Sequence, residues 1–176
     1  ESFGGPLALL LAGCGQGSTL RAPPAQLQGV VLAASFVGAA VPWATPLVPL
    51  LQRAPARAMH AIPPALWHWR LLGRWATPAL RTALQQALRH TPPQVLRHRA
   101  LQALQPPRLD VSALTVPLLV LRAGQDRLLP ASGLQAFAAA PRCQMRTVDG
   151  PHMLLQAVPD ACAPAIASFM QDCCAK

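Results

Sequence analysis

Three polar residues stand where a chain of this pattern can do chemistry: Ser2, Asp126 and His152. Ser2 lies in Glu1-Ser2-Phe3-Gly4-Gly5, directly ahead of an apolar stretch, 4–11, of helical character. A serine on a sharp turn into a helix presents its hydroxyl outward, and glycines beside it let neighbouring backbone pass close. Asp126 closes the turn Ala123-Gly124-Gln125-Asp126, behind the apolar run 116–121. His152 ends Asp149-Gly150-Pro151-His152, behind the alternating run 144–148. A serine hydroxyl is a weak nucleophile until a base takes its proton, and a carboxylate holds an imidazole in the tautomer that can do so. Asp126 and His152 therefore fit the rear half of a nucleophile-activating triad, and Ser2 fits its front half. Ser2 and Asp126 also have plainer readings: a terminal serine without a role, and an aspartate used for turn chemistry in Gly-Gln-Asp. Asp149 competes as the carboxylate but reads as a turn former. His60, His68, His90 and His98 fall elsewhere and receive no role.

The elements that must hold these residues follow from the apolar pattern. The run 29–34 is continuously apolar and of strand length, as suits a strand buried on both faces of a parallel sheet. The run 116–121 reads the same way, and 144–148 as a third strand. Helices are expected over 4–11, 131–140 and 158–171, the last from apolar Val158, Ala161, Ala165, Ile166 and Phe169. The stretch 13–24 is turn-rich, with Gly15, Gly17 and Pro23-Pro24. Between the first two strands, prolines cut 42–107 into helical pieces, 46–53, 64–75, 78–90 and 93–104, each with proline in its first turn. That segment holds Trp43, Trp67, Trp69 and Trp75, to pack it onto the sheet or to wall an acyl pocket. Strand–helix–strand–helix with short links predicts an α/β fold on a parallel sheet with a helical insertion. The parts are 1–41, 42–107 and 108–176, and reactive residues belong at the carboxyl ends of the strands.

On Ser2-Phe3-Gly4-Gly5, on Pro117 to Pro130 (PLLVLRAGQDRLLP) and on Asp149-Gly150-Pro151-His152 ahead of a last helix, the sequence resembles the α/β-hydrolase superfamily. The order nucleophile, acid, histidine is that family's. The resemblance implies a parallel-sheet core with 42–107 as a helical cap. It makes Ser2 the nucleophile, His152 the general base and acid, Asp126 its orienter, and the Phe3 backbone N–H an oxyanion donor. It implies no metal and no organic cofactor. It covers the family's C-terminal half, beginning inside a G-x-S-x-G elbow whose first glycine would precede Glu1. The second oxyanion donor and the earlier strands would lie upstream, so the expectation is a fragment that alone is inactive or poorly folded. The expected activity is cleavage of carboxylic or thio esters through an acyl-enzyme, from small or carrier-bound acyl substrates. The alternatives are a non-catalytic homologue and a basic lipoprotein or binding module.

Composition narrows the remaining classes. Of 176 residues, 52% are hydrophobic and 12% charged, about half the usual charged share. This excludes a disordered or coiled-coil chain, and no apolar run reaches the ~18–20 residues of a membrane span. Fifteen Lys+Arg against six Asp+Glu give a net +9. The basic residues are dispersed and nearly all Arg, Tyr is absent and Phe scarce, so nucleic acid is not the expected partner. Nine arginines (Arg53, Arg57, Arg70, Arg74, Arg81, Arg89, Arg97, Arg99 and Arg108) fall in or beside the inserted segment, and no carboxylate falls between Glu1 and Asp110. Solubilising charge is the simple account; an acidic partner, such as an acyl-carrying protein, is the functional one. Cys14, Cys143, Cys162, Cys173 and Cys174 have no zinc-site spacing. They suggest free thiols in a reducing compartment, hence the cytoplasm. Leu11-Ala12-Gly13-Cys14 imitates a lipoprotein cleavage box but lacks a basic segment before it.

Overall fold

Three parallel strands form one sheet in the order β1 (Val30–Ala33), β2 (Leu118–Ala123) and β3 (Cys143–Val148). The computed structural model describes residues 1–15 and 24–174; the middle of the turn-rich stretch 13–24 lies outside the described residues. Val30 faces Leu118 across one ladder, and Leu118 faces Cys143 across the next. β2 begins two residues later than its apolar run, because Pro117 has no N–H to give and serves only through its carbonyl, which accepts from Val30 N–H at 2.9 Å.

The central strand explains its own sequence. Leu118, Leu119, Val120 and Leu121 are all fully buried because both faces of β2 are covered. Leu118 and Val120 pack with Leu9, Leu32, Val111 and Phe137 on one face. Leu119 and Leu121 pack with Leu154, Cys162, Ala165 and Phe169 on the other. Helix α1 (Gly4–Leu11) supplies Leu9 to the first face, and the C-terminal helix covers the second.

Helix α1 ends in a Schellman cap. Gly13 takes φ +88, its N–H reaches the Leu10 carbonyl at 3.1 Å, and Cys14 N–H reaches the Leu9 carbonyl at 2.9 Å. The lipoprotein-like Leu11-Ala12-Gly13-Cys14 is thus a helix terminus, with Cys14 buried in the core.

Between β1 and β2 the regular structure is helical: α2 (Val48–Arg53), α3 (Pro64–Leu71), α4 (Pro78–His90) and α5 (Pro93–Leu104), joined by 3-10 turns at Pro42–Leu47, Ala56–Ala61 and Gly73–Trp75. The expected pieces 46–53 and 64–75 each split into an α and a 3-10 part. In the second, Gly73 at φ +53 breaks the helix. Pro78 opens α4 behind Thr77, whose hydroxyl caps Leu80 N–H at 3.2 Å.

After β2 the predicted helix 131–140 is instead a run of 3-10 turns, Ala131–Ala139, anchored by buried Phe137. After β3 come the short α6 (Leu154–Ala157) and α7 (Pro159–Cys174). Among the described residues, no helix is long and apolar enough to cross a membrane.

Candidate active site

The elbow is seated on the carboxyl end of β1. Ser2 N–H donates to the Ala33 carbonyl at 2.9 Å, and Ser35 Oγ–H donates to the Ser2 carbonyl at 2.9 Å. Gripped on both sides, Ser2 holds φ +51, a left-handed conformation that costs a non-glycine residue about 1–3 kcal/mol and clusters at functional sites. Gly5 permits the seating: a Cβ there would stand 1.7 Å from Ser35 Oγ and 2.7 Å from Ser35 Cβ. Phe3 N–H, at the start of α1, donates to no acceptor among the described residues.

Asp126 leaves β2 in a turn that uses both carboxylate oxygens. Oδ1 accepts from Leu128 N–H at 2.8 Å and Leu129 N–H at 2.9 Å; Oδ2 lies 2.9 Å from His152 Nδ1. The turn chemistry expected of Gly-Gln-Asp is therefore present in the same residue that meets the imidazole. His152 follows β3, its side chain 3% exposed, and its Nε2 lies 2.7 Å from Ser2 Oγ. The structure brings Ser2, His152 and Asp126 into one hydrogen-bonded chain across sequence separations of 150 and 26 residues. Asp149 does not compete for the imidazole, since it pairs with Arg74 at 2.7 Å.

Several further contributors to this geometry were assigned no role from the sequence. Glu1 Oε1 accepts Leu155 N–H at 2.9 Å, just beyond the histidine. The histidine turn is tied to the acid turn through Gly124 N–H to the Val148 carbonyl and Gln125 N–H to the Gly150 carbonyl, at 2.8 and 2.9 Å. The end of α3 reaches the same turn, its Leu71 carbonyl accepting Met153 N–H at 3.0 Å. Arg70 donates to the Arg127 carbonyl at 2.8 Å, next to Asp126. Only Glu1 had a sequence signal, its place beside Ser2.

Two hollows adjoin Asp126. One, of about 100 Å³, is walled by Ser35, Phe36, Leu129 and Leu134. The other, of about 220 Å³, lies between Trp43 and Arg70 of the insertion and the acid turn. Among the described residues, no three His, Cys, Asp or Glu side chains converge as metal ligands. The five cysteines are free thiols. Burial raises the thiol pKa of Cys14, Cys143 and Cys162.

No family model matches the sequence, nor does any curated protein. Solved structures do match the fold. A thermophilic esterase from Thermogutta terrifontis, solved with malate bound, superposes at TM-score 0.73 and 20% identity over 98% of this chain and 63% of its own. The enol-lactonase from Burkholderia xenovorans LB400 gives 0.73 and 18% over 97% and 63%. A 2-hydroxy-6-oxo-6-phenylhexa-2,4-dienoate hydrolase from Rhodococcus sp. strain RHA1 gives 0.67 and 15% over 97% and 62%. The chain has the α/β-hydrolase fold, and spans about 63% of the length of the first two of these structures.

Proposed function

We propose that the protein is a serine hydrolase that cleaves carboxylic esters or thioesters through an acyl-enzyme. The observation that carries this reading is the continuous chain Ser2 Oγ–His152 Nε2–His152 Nδ1–Asp126 Oδ2, at 2.7 and 2.9 Å. Asp126 accepts a hydrogen bond from His152 Nδ1–H, which fixes the tautomer whose Nε2 lone pair faces the serine hydroxyl. As Ser2 Oγ bonds the ester carbonyl carbon, its proton passes to Nε2, and the carbonyl oxygen takes the negative charge. Phe3 N–H is the oxyanion donor offered by the elbow. Collapse breaks the bond to the alcohol or thiol, which leaves with the Nε2 proton. Water then repeats the sequence on the acyl-serine and releases the acid. Phe36, Leu129 and Leu134, beside Asp126, suit an apolar part of the substrate.

In this reading 42–107 forms a cap over a core made by 1–41 and 108–176. Arg53, Arg57, Arg81, Arg89 and Arg99 are exposed on it, and none forms an ion pair among the described residues. That supports an anionic carrier of the acyl group.

Fluorophosphonate labelling of the intact protein, with Ser2→Ala as control, tests the nucleophile. Labelling of the wild type that disappears in the variant is expected; labelling that survives contradicts the assignment, and an unlabelled wild type favours a non-catalytic homologue. In the same preparation, salt should raise KM for an ester on an acidic carrier and leave a free ester unaffected. Equal, salt-independent turnover of both removes the carrier.

A further inference from the structure

The histidine turn is held at its exit by a side chain of the elbow itself. Glu1 Oε1 accepts Leu155 N–H at 2.9 Å, while Leu154 N–H closes back on the His152 carbonyl at 2.9 Å. The elbow and the turn bearing its base are thus joined twice, once through Ser2 Oγ and once through Glu1, from adjacent residues across 150 and 154 positions of sequence. The first link must break and re-form with each proton transfer, and the second need not. Besides the Asp126–His152 bond, the turn carries the side-chain tie Arg74 to Asp149, whose side chains are 66% and 65% exposed, where an ion pair stabilises little. The Glu1–Leu155 bond is partly buried. Its carboxylate also lies close enough to the buried Cys162 for its charge to add to the effect of burial in raising that thiol's pKa.

We infer that Glu1 is a positioning residue for His152: its carboxylate fixes Leu155 N–H, and so keeps Nε2 within reach of Ser2 Oγ while the proton is in transit. The inference rests on the triad reading above. A catalytic group displaced by about 1 Å loses up to 10²-fold in rate, so the position of the imidazole should appear in kcat.

The test uses the intact protein with a simple ester, comparing Glu1→Ala, Glu1→Gln and Glu1→Asp with Ser2→Ala. Glu1→Ala is expected to lower kcat about tenfold or more with KM within about twofold of wild type. Glu1→Gln, which keeps an acceptor oxygen, should recover most of the loss. Glu1→Asp, which is charged but shorter, should not, and it stands in should the alanine variant fail to fold. Wild-type kcat in Glu1→Ala or Glu1→Asp, a loss confined to KM, or a glutamine variant as slow as the alanine one overturns the inference. Ser2→Ala separates the two levels. If it abolishes turnover while Glu1→Ala is unaffected, only the role of Glu1 falls. If it retains turnover, the triad reading falls.

Discussion

Asp126 does two jobs with one carboxylate, and they can be separated. Oδ1 holds its own turn through Leu128 and Leu129, and Oδ2 faces His152. An amide in its place can keep the turn oxygen while presenting an NH₂ group to Nδ1, which selects the imidazole tautomer with its proton on Nε2, facing the serine. Asp126→Asn is therefore expected to fold with a near-native melting temperature yet lose about 10³–10⁴ in kcat. Melting and single-turnover acylation measured on one sample check this. A folded variant with wild-type acylation would remove Asp126 from the triad. Ser2, Asp126 and His152 stood out in sequence because each borders a recognisable element, Ser2 ahead of a helical stretch and the other two behind strands. Their mutual distances did not, because no local pattern encodes a contact across 150 residues.

At the scale of elements, the site is a matter of how the elbow helix meets β1. The close approach of Gly5 to Ser35 lets Ser35 Oγ reach the Ser2 carbonyl. A methyl group at position 5 must push Ser35 away. Gly5→Ala is therefore expected to destabilise the protein by about 1–3 kcal/mol, and Ser35→Gly in the same chain to recover part of that while losing the bond to Ser2. Denaturant midpoints of the two single variants and the double variant test this coupling; strictly additive effects would contradict it. Elements with a strong period were legible: the buried leucines of β2, α4 opened by Pro78, and α5 opened by Pro93. The segment 131–139 was not, because its spacing of Leu134 and Phe137 suits α and 3-10 turns alike. The ties from Arg70, Leu71 and Arg74 to the acid and histidine turns were also invisible, since they join partners 57–82 residues apart through backbone carbonyls and an exposed ion pair.

For the whole molecule, the unusual composition makes one titration readable. The chain has no tyrosine, Lys176 is its sole lysine, and arginine does not titrate below about pH 12. Between about pH 8 and 10.5, cysteine thiols are therefore the dominant class of side chain that loses a proton. Burial raises the folded-state pKa of Cys14, Cys143 and Cys162 from the usual 9.0, with Asp110 adding to the effect at Cys14 and Glu1 at Cys162. The sign follows from linkage. Above about pH 8.5 the unfolded chain releases thiol protons that the folded chain retains, so the unfolded state binds fewer protons and stability falls as pH rises. The stabilisation is complete below that pH and is lost progressively until the folded thiols also ionise. Under reducing conditions, denaturant midpoints should be level from about pH 7.5 to 8.5 and then decline. Cys14→Ala and Cys162→Ala, whatever their cost at neutral pH, should each make that decline shallower. A flat profile to pH ~10.5, or slopes unchanged in both variants, would show that these thiols do not govern the alkaline limit of the fold.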